Sequence, residues 1–526
     1  MKKLLILLCF YSQVIFCHTN HTFLKIRPPT SNFPIKAPFV MKLNLMPPQN
    51  EFTVAPFFQH SQQLTKTGTF FLFKEKDTII IKASLANYPA GGVDNRTTKG
   101  RQDDIDTTYI SHSAGFNQRD VDDFNAMNLS MSMHPLAKVY GTHVHYYQCF
   151  QNAAHRFFIF AQTSIVQLER SHSYELMGRI SDIDEFEYDE EFTDFLLGKH
   201  EQPVVNTALR SLAQQARNGR GQVKMTNAKF SNQPLYSTGF SDIDAGLGYV
   251  LFDQPAYYLS GACVVTLSAG NKPKGEFVFE PIRGNGGHVG IGVTADGWVR
   301  LLAERKRDLK VVGALDWRYL FSAHEMRTLG LKNRDWGHYY NLGMVGQAPM
   351  IPAANILTRS VDVRPGSYLE GMLGLSYHDK EFVADIGYDV YVRARESVRL
   401  LDFPDNTYAV AARGHSTALG LDANGQPVPY PWSVPVTVVP KPYTIAPNTV
   451  DQGDVALSTV NLHTIDTGVA ESPSQCINAI YGSLGFVFPN EPSATTLLSL
   501  GGMYEFPTSN AALEQWTLWV KLGVGF

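Results

Sequence analysis

The chain has 526 residues, 44% hydrophobic and 12% aromatic, with 45 basic against 49 acidic side chains and a formal net charge of −4. That balance argues against a nucleic-acid partner. After residue 17 no apolar run approaches the ~20 residues of a membrane-spanning helix. Any passage through a bilayer would therefore be made by a closed sheet, the other architecture that satisfies every backbone polar group in lipid.

Met1 to Cys17 reads as an export signal: Lys2 and Lys3 precede a short apolar stretch from Leu4 to Phe16, too short to span. Residues 18–124 follow with a Pro-rich beginning, extended stretches at 52–58 and 78–85, and a Gly/Asn/Asp-rich tract at 90–123. This segment is expected either to plug a lumen or to add strands. Three cysteines after the signal, Cys149, Cys263 and Cys476, are odd in number and scattered, so no disulfide framework is implied.

From 125 onward, apolar and polar residues alternate in repeated stretches, the period of a two-faced strand. The expected strands are 125–134, 137–149, 155–168, 242–252, 256–269, 288–295, 298–304, 309–321, 336–346, 368–377, 381–395, 477–488, 497–506 and 516–526. They imply an all-β fold, a closed antiparallel transmembrane β-barrel of about 14 strands, with 12 or 16 as alternatives. Tyrosine and tryptophan near strand ends, such as Tyr249, Tyr257, Trp317, Tyr319, Tyr377 and Tyr504, suit interfacial girdles. Asp253-Gln254-Pro255, Asp296-Gly297 and 378–380 read as short turns on one rim. The long connections, above all 169–241 and 396–476, fall on the other. The expected domains are thus the signal at 1–17, the segment at 18–124, and the barrel with its long outer loops at 125–526.

The last strand puts Trp516, Leu518, Val520, Leu522, Val524 and Phe526 on one face and ends on a terminal phenylalanine. There the chain resembles Gram-negative outer-membrane β-barrels, whose final strand is read by the barrel-assembly machinery. The resemblance implies outer-membrane lipid and that machinery as partners, with the bacterial outer membrane as the location. The runs at 242–252 and 284–293, rich in glycine (Gly246, Gly248, Gly284, Gly286, Gly287), look like those of the FadL and phenol-degradation (MetA-pathway) barrels. That likeness implies uptake of hydrophobic compounds and carries no binding residue over.

If the apolar faces meet lipid, the lumen-lining set is Asp242, Asp244, Asp316, Arg318, Glu370, Glu381, Asp385, Asp389, Arg393, Arg395 and Lys521. Charges of both signs are what a water-filled conduit presents. His143 and His145 share a strand face, but no cysteine or acidic ligand lies nearby to complete a metal site. No G-x-S-x-G elbow occurs, and neither catalysis nor a cofactor or metal is expected. The sequence is read as a passive channel or transporter for small, preferentially hydrophobic, solutes. The alternatives are a surface-exposed structural or adhesive barrel and, less favoured, a lipid hydrolase. Homo-oligomer formation stays open.

Overall fold

A computed structural model describes residues 21–29, 31–36, 50–62, 69–71, 78–82, 104–106, 128–152, 155–179, 196–199, 224–304, 307–332, 334, 336–344, 350–405, 407–410, 419–421, 427–429, 459–491 and 494–526. The expected signal at 1–17 lies outside them.

Twelve antiparallel strands close into a barrel. They are β1 (Asn50–Ser61), β2 (Asn128–Asn152), β3 (His155–Arg179), β4 (Leu235–Gln254), β5 (Tyr257–Leu267) and β6 (Gly290–Glu304). β7 (Arg307–Leu320), β8 (Gly366–Asp379), β9 (Phe382–Arg393), β10 (Gln475–Glu491), β11 (Ala494–Pro507) and β12 (Gln515–Gly525) complete the set. Each strand pairs with its neighbours in sequence, and β1 closes the ring. On one side β1 pairs with β12, from Glu51↔Gly525 to Ser61↔Gln515. On the other it pairs with β2, from Asn50↔Gln148 to His60↔Lys138. No barrel edge is left for lipid to meet, which is what a spanning sheet requires.

The count settles at the lower alternative to fourteen, for three local reasons. The described part of 125–134, from Asn128, and 137–149 are one strand, although Pro135 interrupts the alternation. Pro135 sits in the gap where β2 has passed the end of β1 and not yet reached its pairing with Thr78–Lys82. A missing N–H costs little on an unpaired side. Segments 288–295 and 298–304 are also one strand. Asp296 and Gly297 pair on both sides, with Ser260 and Leu259 of β5 and with Ala314 and Gly313 of β7, so the expected Asp-Gly turn is absent. Glycine at 297 answers a close approach instead, since a Cβ there would lie 2.5 Å from the Tyr258 carbonyl oxygen. Third, 336–344, the described part of the strand expected at 336–346, leaves the barrel, because Trp336, Tyr339 and Leu342 bury their apolar faces in a core formed by the loops. The strand gained is β1, within the segment before 125.

Five two-residue connections, after β2, β4, β6, β8 and β10, lie at one rim with Asn50 and Gly525. All the longer connections leave from the other rim. There the loops form small sheets, such as Ala323–Thr328 with Thr358–Arg364 and Ser397–Leu400. These enclose a hydrophobic core containing Phe71, Phe230, Phe279, Trp336, Leu342 and Leu357. This core is the outer cap.

The outward face of the wall is apolar around the ring: Phe52, Tyr140, Ile159, Leu247, Val265, Val293, Leu315, Leu373, Ile386, Leu484, Leu500 and Leu522 are all exposed. Of the side chains expected to form an assembly signal, Leu518, Val520, Leu522, Val524 and Phe526 belong to this face, and Trp516 is half-buried against Phe58 and His60. A soluble sheet would cover such a surface, and here lipid does. Leu373, mid-strand in β8 and 61% exposed, is the test position. Leu373→Arg is expected to cost about 2–4 kcal/mol of folding into bilayers, and Leu373→Ala well under half of that. Denaturant titration of lipid-refolded protein measures both.

Candidate functional site

Because side chains alternate, closing the barrel sends every second residue of each strand inward. Asp242, Asp244, Asp316, Arg318, Glu370, Asp385, Asp389, Arg393 and Lys521 are all buried on the inner wall. Two residues of the expected lumen set lie elsewhere. Glu381 is exposed in the tight turn between β8 and β9, outside both strands although the alternation of the sequence includes it. Arg395 lies past the end of β9, exposed, and its guanidinium pairs with Glu471 at 2.7 Å in the cap. In both cases the strand ends before the sequence alternation does.

The wall does not neutralise itself. Its carboxylates are matched by residues 21–36, which run inside the barrel. Arg27 is the centre of the arrangement. Its guanidinium donates to Glu505 at 2.8 Å, Glu370 at 2.7 Å and Asp389 at 2.8 Å, and its Nε to the Ser31 carbonyl at 2.6 Å. The Tyr391 ring stacks against it, 5.1 Å away. Lys36, at the end of the single-turn helix α1 (Phe33–Lys36), donates to Glu370 at 2.8 Å and Asp316 at 3.1 Å. Glu370 also accepts the Phe33 amide at 2.6 Å, and Lys521 donates to the Pro34 carbonyl at 3.2 Å. Asp316 is shared, since Arg318 beside it on β7 bonds the same carboxylate.

Burial opposes the charge of both basic residues of this segment, but their partners outweigh it. Asp389, Glu505 and Glu370 hold the Arg27 guanidinium above its ordinary range, and Glu370 and Asp316 do the same for Lys36. Lys25 behaves oppositely. Burial dominates there and lowers it, although Glu396 lies 3.3 Å away. Glu396 is itself held down to about 2, burial being overcome by Lys25, Arg327 and Arg393. Arg327 also pairs with Glu325, and Glu325 with His288 at 2.8 Å. Lys25 therefore ties the inner segment to the cap.

Below Phe33 and Lys36 a cavity of about 50 Å3 remains, lined among others by Tyr147, Phe158, Tyr258, Ser260, Asp296 and Asp316. It has room for roughly four waters. His145 also faces it, while His143 bonds Ser164 at 3.0 Å.

Reasoning from strands alone misses Lys25, Arg27, Lys36 and Glu505. A signal for the first three exists: from 18 to 50 the chain carries four lysines and arginines and no acidic residue. A purely basic stretch beside a mostly acidic inner wall is a complementary pair.

No protein-family model and no curated protein matches the chain. Among solved structures, the chain is similar to an outer-membrane channel from Pseudomonas putida F1, at 8% identity and a TM-score of 0.34, over 92% of this chain and 98% of that one. It is similar to the transport unit of the autotransporter AIDA-I from Escherichia coli, at 8% identity and a TM-score of 0.30, over 94% of each. A Pseudomonas aeruginosa FadL homologue aligns at 8% identity and a TM-score of 0.25, over 90% of this chain and 88% of that one. At such scores the likeness carries no argument about this chain's function.

Two outcomes follow from the charges. Arg27→Met strands three buried carboxylates and is expected to destabilise the seated segment by about 3–5 kcal/mol. Protease sensitivity within 21–36, in detergent-folded protein, reads this out, and adding Glu505→Gln and Asp389→Asn should restore part of the loss. In the cap, burial pushes His338 down to about 3, and burial together with Arg395 pushes His21 down to about 4. Both are held neutral in the fold, so their contribution is complete above the ordinary histidine value near 6.5 and is lost as the pH falls below it. Acidification from pH 7 to 5 should therefore weaken the cap by about 2 kcal/mol per histidine, seen as faster amide exchange around 336–340.

Proposed function

We propose that the protein is a bacterial outer-membrane conduit for small solutes, closed at rest by residues 21–36 acting as a plug. One observation carries this reading: the inner wall is lined with charges whose partners sit on a separate, non-strand piece of chain. A barrel that needed only a filled interior would pair its wall charges with each other. Here Glu370, Asp389 and Glu505 depend on Arg27.

A fully desolvated ion-pair cluster holds its partners firmly only while the geometry is complete. When the segment shifts, water enters, each carboxylate regains hydration, and the separated state becomes far less costly. The same contacts can thus close the lumen in one state and leave a hydrated, acidic passage in the other. The wall below the plug adds an aromatic face of Tyr147, Phe158, Tyr258 and Trp298 beside polar side chains. That combination suits solutes with apolar parts, in line with the uptake reading, and such solutes would pass by diffusion without any covalent step.

Arg27→Glu places a fourth carboxylate among three and should expel the segment. In planar bilayers the full-length variant is expected to show at least tenfold higher open probability than the parent chain, with cation preference. Asp385→Lys with Asp389→Lys in that background should shift the reversal potential toward anions. Folded protein giving no current steps in any variant would remove the conduit and leave the cap as the functional part.

A further inference from the structure

Among the described residues two carboxylates line the cavity, Asp316 and Asp296, and only Asp316 has basic partners. Asp316 has Lys36 and Arg318, Glu370 has Arg27 and Lys36, and Asp244 accepts from Thr266 at 2.6 Å and Gln162 at 3.2 Å. Asp296 differs. One of its oxygens accepts the Ser260 hydroxyl at 2.8 Å, and no basic side chain among the described residues pairs with it. It lies mid-strand on β6, on the inner face, and lines the cavity below the plug.

The walls around Asp296 are aromatic. Tyr147 and Phe158 pack with ring centroids 5.1 Å apart, and Tyr258 stacks on Trp298 at 6.3 Å with an interplanar angle of 10°. Tyr147, Phe158 and Tyr258 line the same cavity as Asp296. Two cations already use the outer ring of this cluster: Lys310 Nζ lies 4.5 Å from the Trp298 centroid, and Arg300 5.8 Å from it. Lys36 and Arg318 also border the cavity, but the carboxylates of Asp316 and Glu370 occupy their charges.

We propose that this cavity is a binding site for small organic cations, of the size of a trimethylammonium or primary ammonium head. Ring faces attract a desolvated cation through their quadrupole, and an uncompensated carboxylate supplies the counter-charge that the site otherwise lacks. A neutral solute of the same shape receives only the apolar contact. An anion would meet Asp296 directly. The site would thus select by charge among solutes entering the lumen, which rests on the conduit reading given above.

The test uses the full-length protein in detergent, with choline and its uncharged isostere 3,3-dimethylbutan-1-ol as probes in isothermal calorimetry. Choline should bind at least tenfold more tightly than the alcohol. Asp296→Asn, which keeps the shape and the contact with Ser260, should remove that preference, and Tyr258→Leu should weaken choline at least fivefold. Equal binding of the two probes, or an unchanged preference in Asp296→Asn, overturns the site. Bilayer currents separate the two readings. Choline binding without any current would sink the conduit and keep the site, whereas current without selective binding would do the reverse.

Discussion

The ring closure made by β1 is the constraint on which the rest depends. With its seam on β12 and its second ladder on β2, this twelve-residue strand removes both free edges of an otherwise open meander. An unpaired edge in hydrocarbon costs several kcal/mol for each orphaned group. Closure also turns sequence alternation into an inside and an outside. Once Leu373, Ile386 and Leu522 face lipid, Met372, Asp385 and Lys521 must face the lumen.

That consequence creates an electrostatic problem. An inner wall bearing Asp242, Asp244, Asp296, Asp316, Glu370, Asp385, Asp389 and Glu505, all buried but the half-buried Asp296, is not balanced by Arg318, Arg393, Lys310 and Lys521, and buried charge is costly unless paired. Arg27 and Lys36 correct half of that imbalance from outside the strand set. Arginine suits the central position because its planar fork meets three carboxylates and a carbonyl at once, where an ammonium could not spread its donors so widely. Lys36 sits where Asp316 and Glu370 converge.

The cap and the inner segment form one connected system. Lys25 reaches Glu396, Glu396 bonds Arg327, and Arg327 bonds Glu325 beside His288. Thr22 adds a bond from its hydroxyl to the Thr328 carbonyl at 2.6 Å, and Gln475 of β10 donates to the Lys25 carbonyl at 2.7 Å. Leu24 packs into the cap core. The segment therefore has an apolar anchor above and an ionic one below, so it cannot leave the lumen without loosening the cap.

Much was legible in the residues themselves. The period-two pattern through 381–393, 497–506 and 516–525 needs no partner to be read, because alternation across a strand is a local property of the backbone. From it follow the membrane barrel, the lipid face, and the inward placement of Glu370, Asp389 and Lys521. Other features depended on which neighbours were present. Pro135 and Asp296-Gly297 look like interruptions until neighbouring ladders carry the strand through them, on one side at Pro135 and on both at Asp296-Gly297. The stretch at 336–346 looks like a barrel strand until the cap claims Trp336, Tyr339 and Leu342. Glu381 and Arg395 continue an alternation that the strand itself does not. The pairing of Arg27 with three carboxylates more than 340 positions away joins residues with no local relation at all. Periodicity is written along the chain, whereas partner choice arises only when the closed sheet brings distant segments into one low-dielectric space.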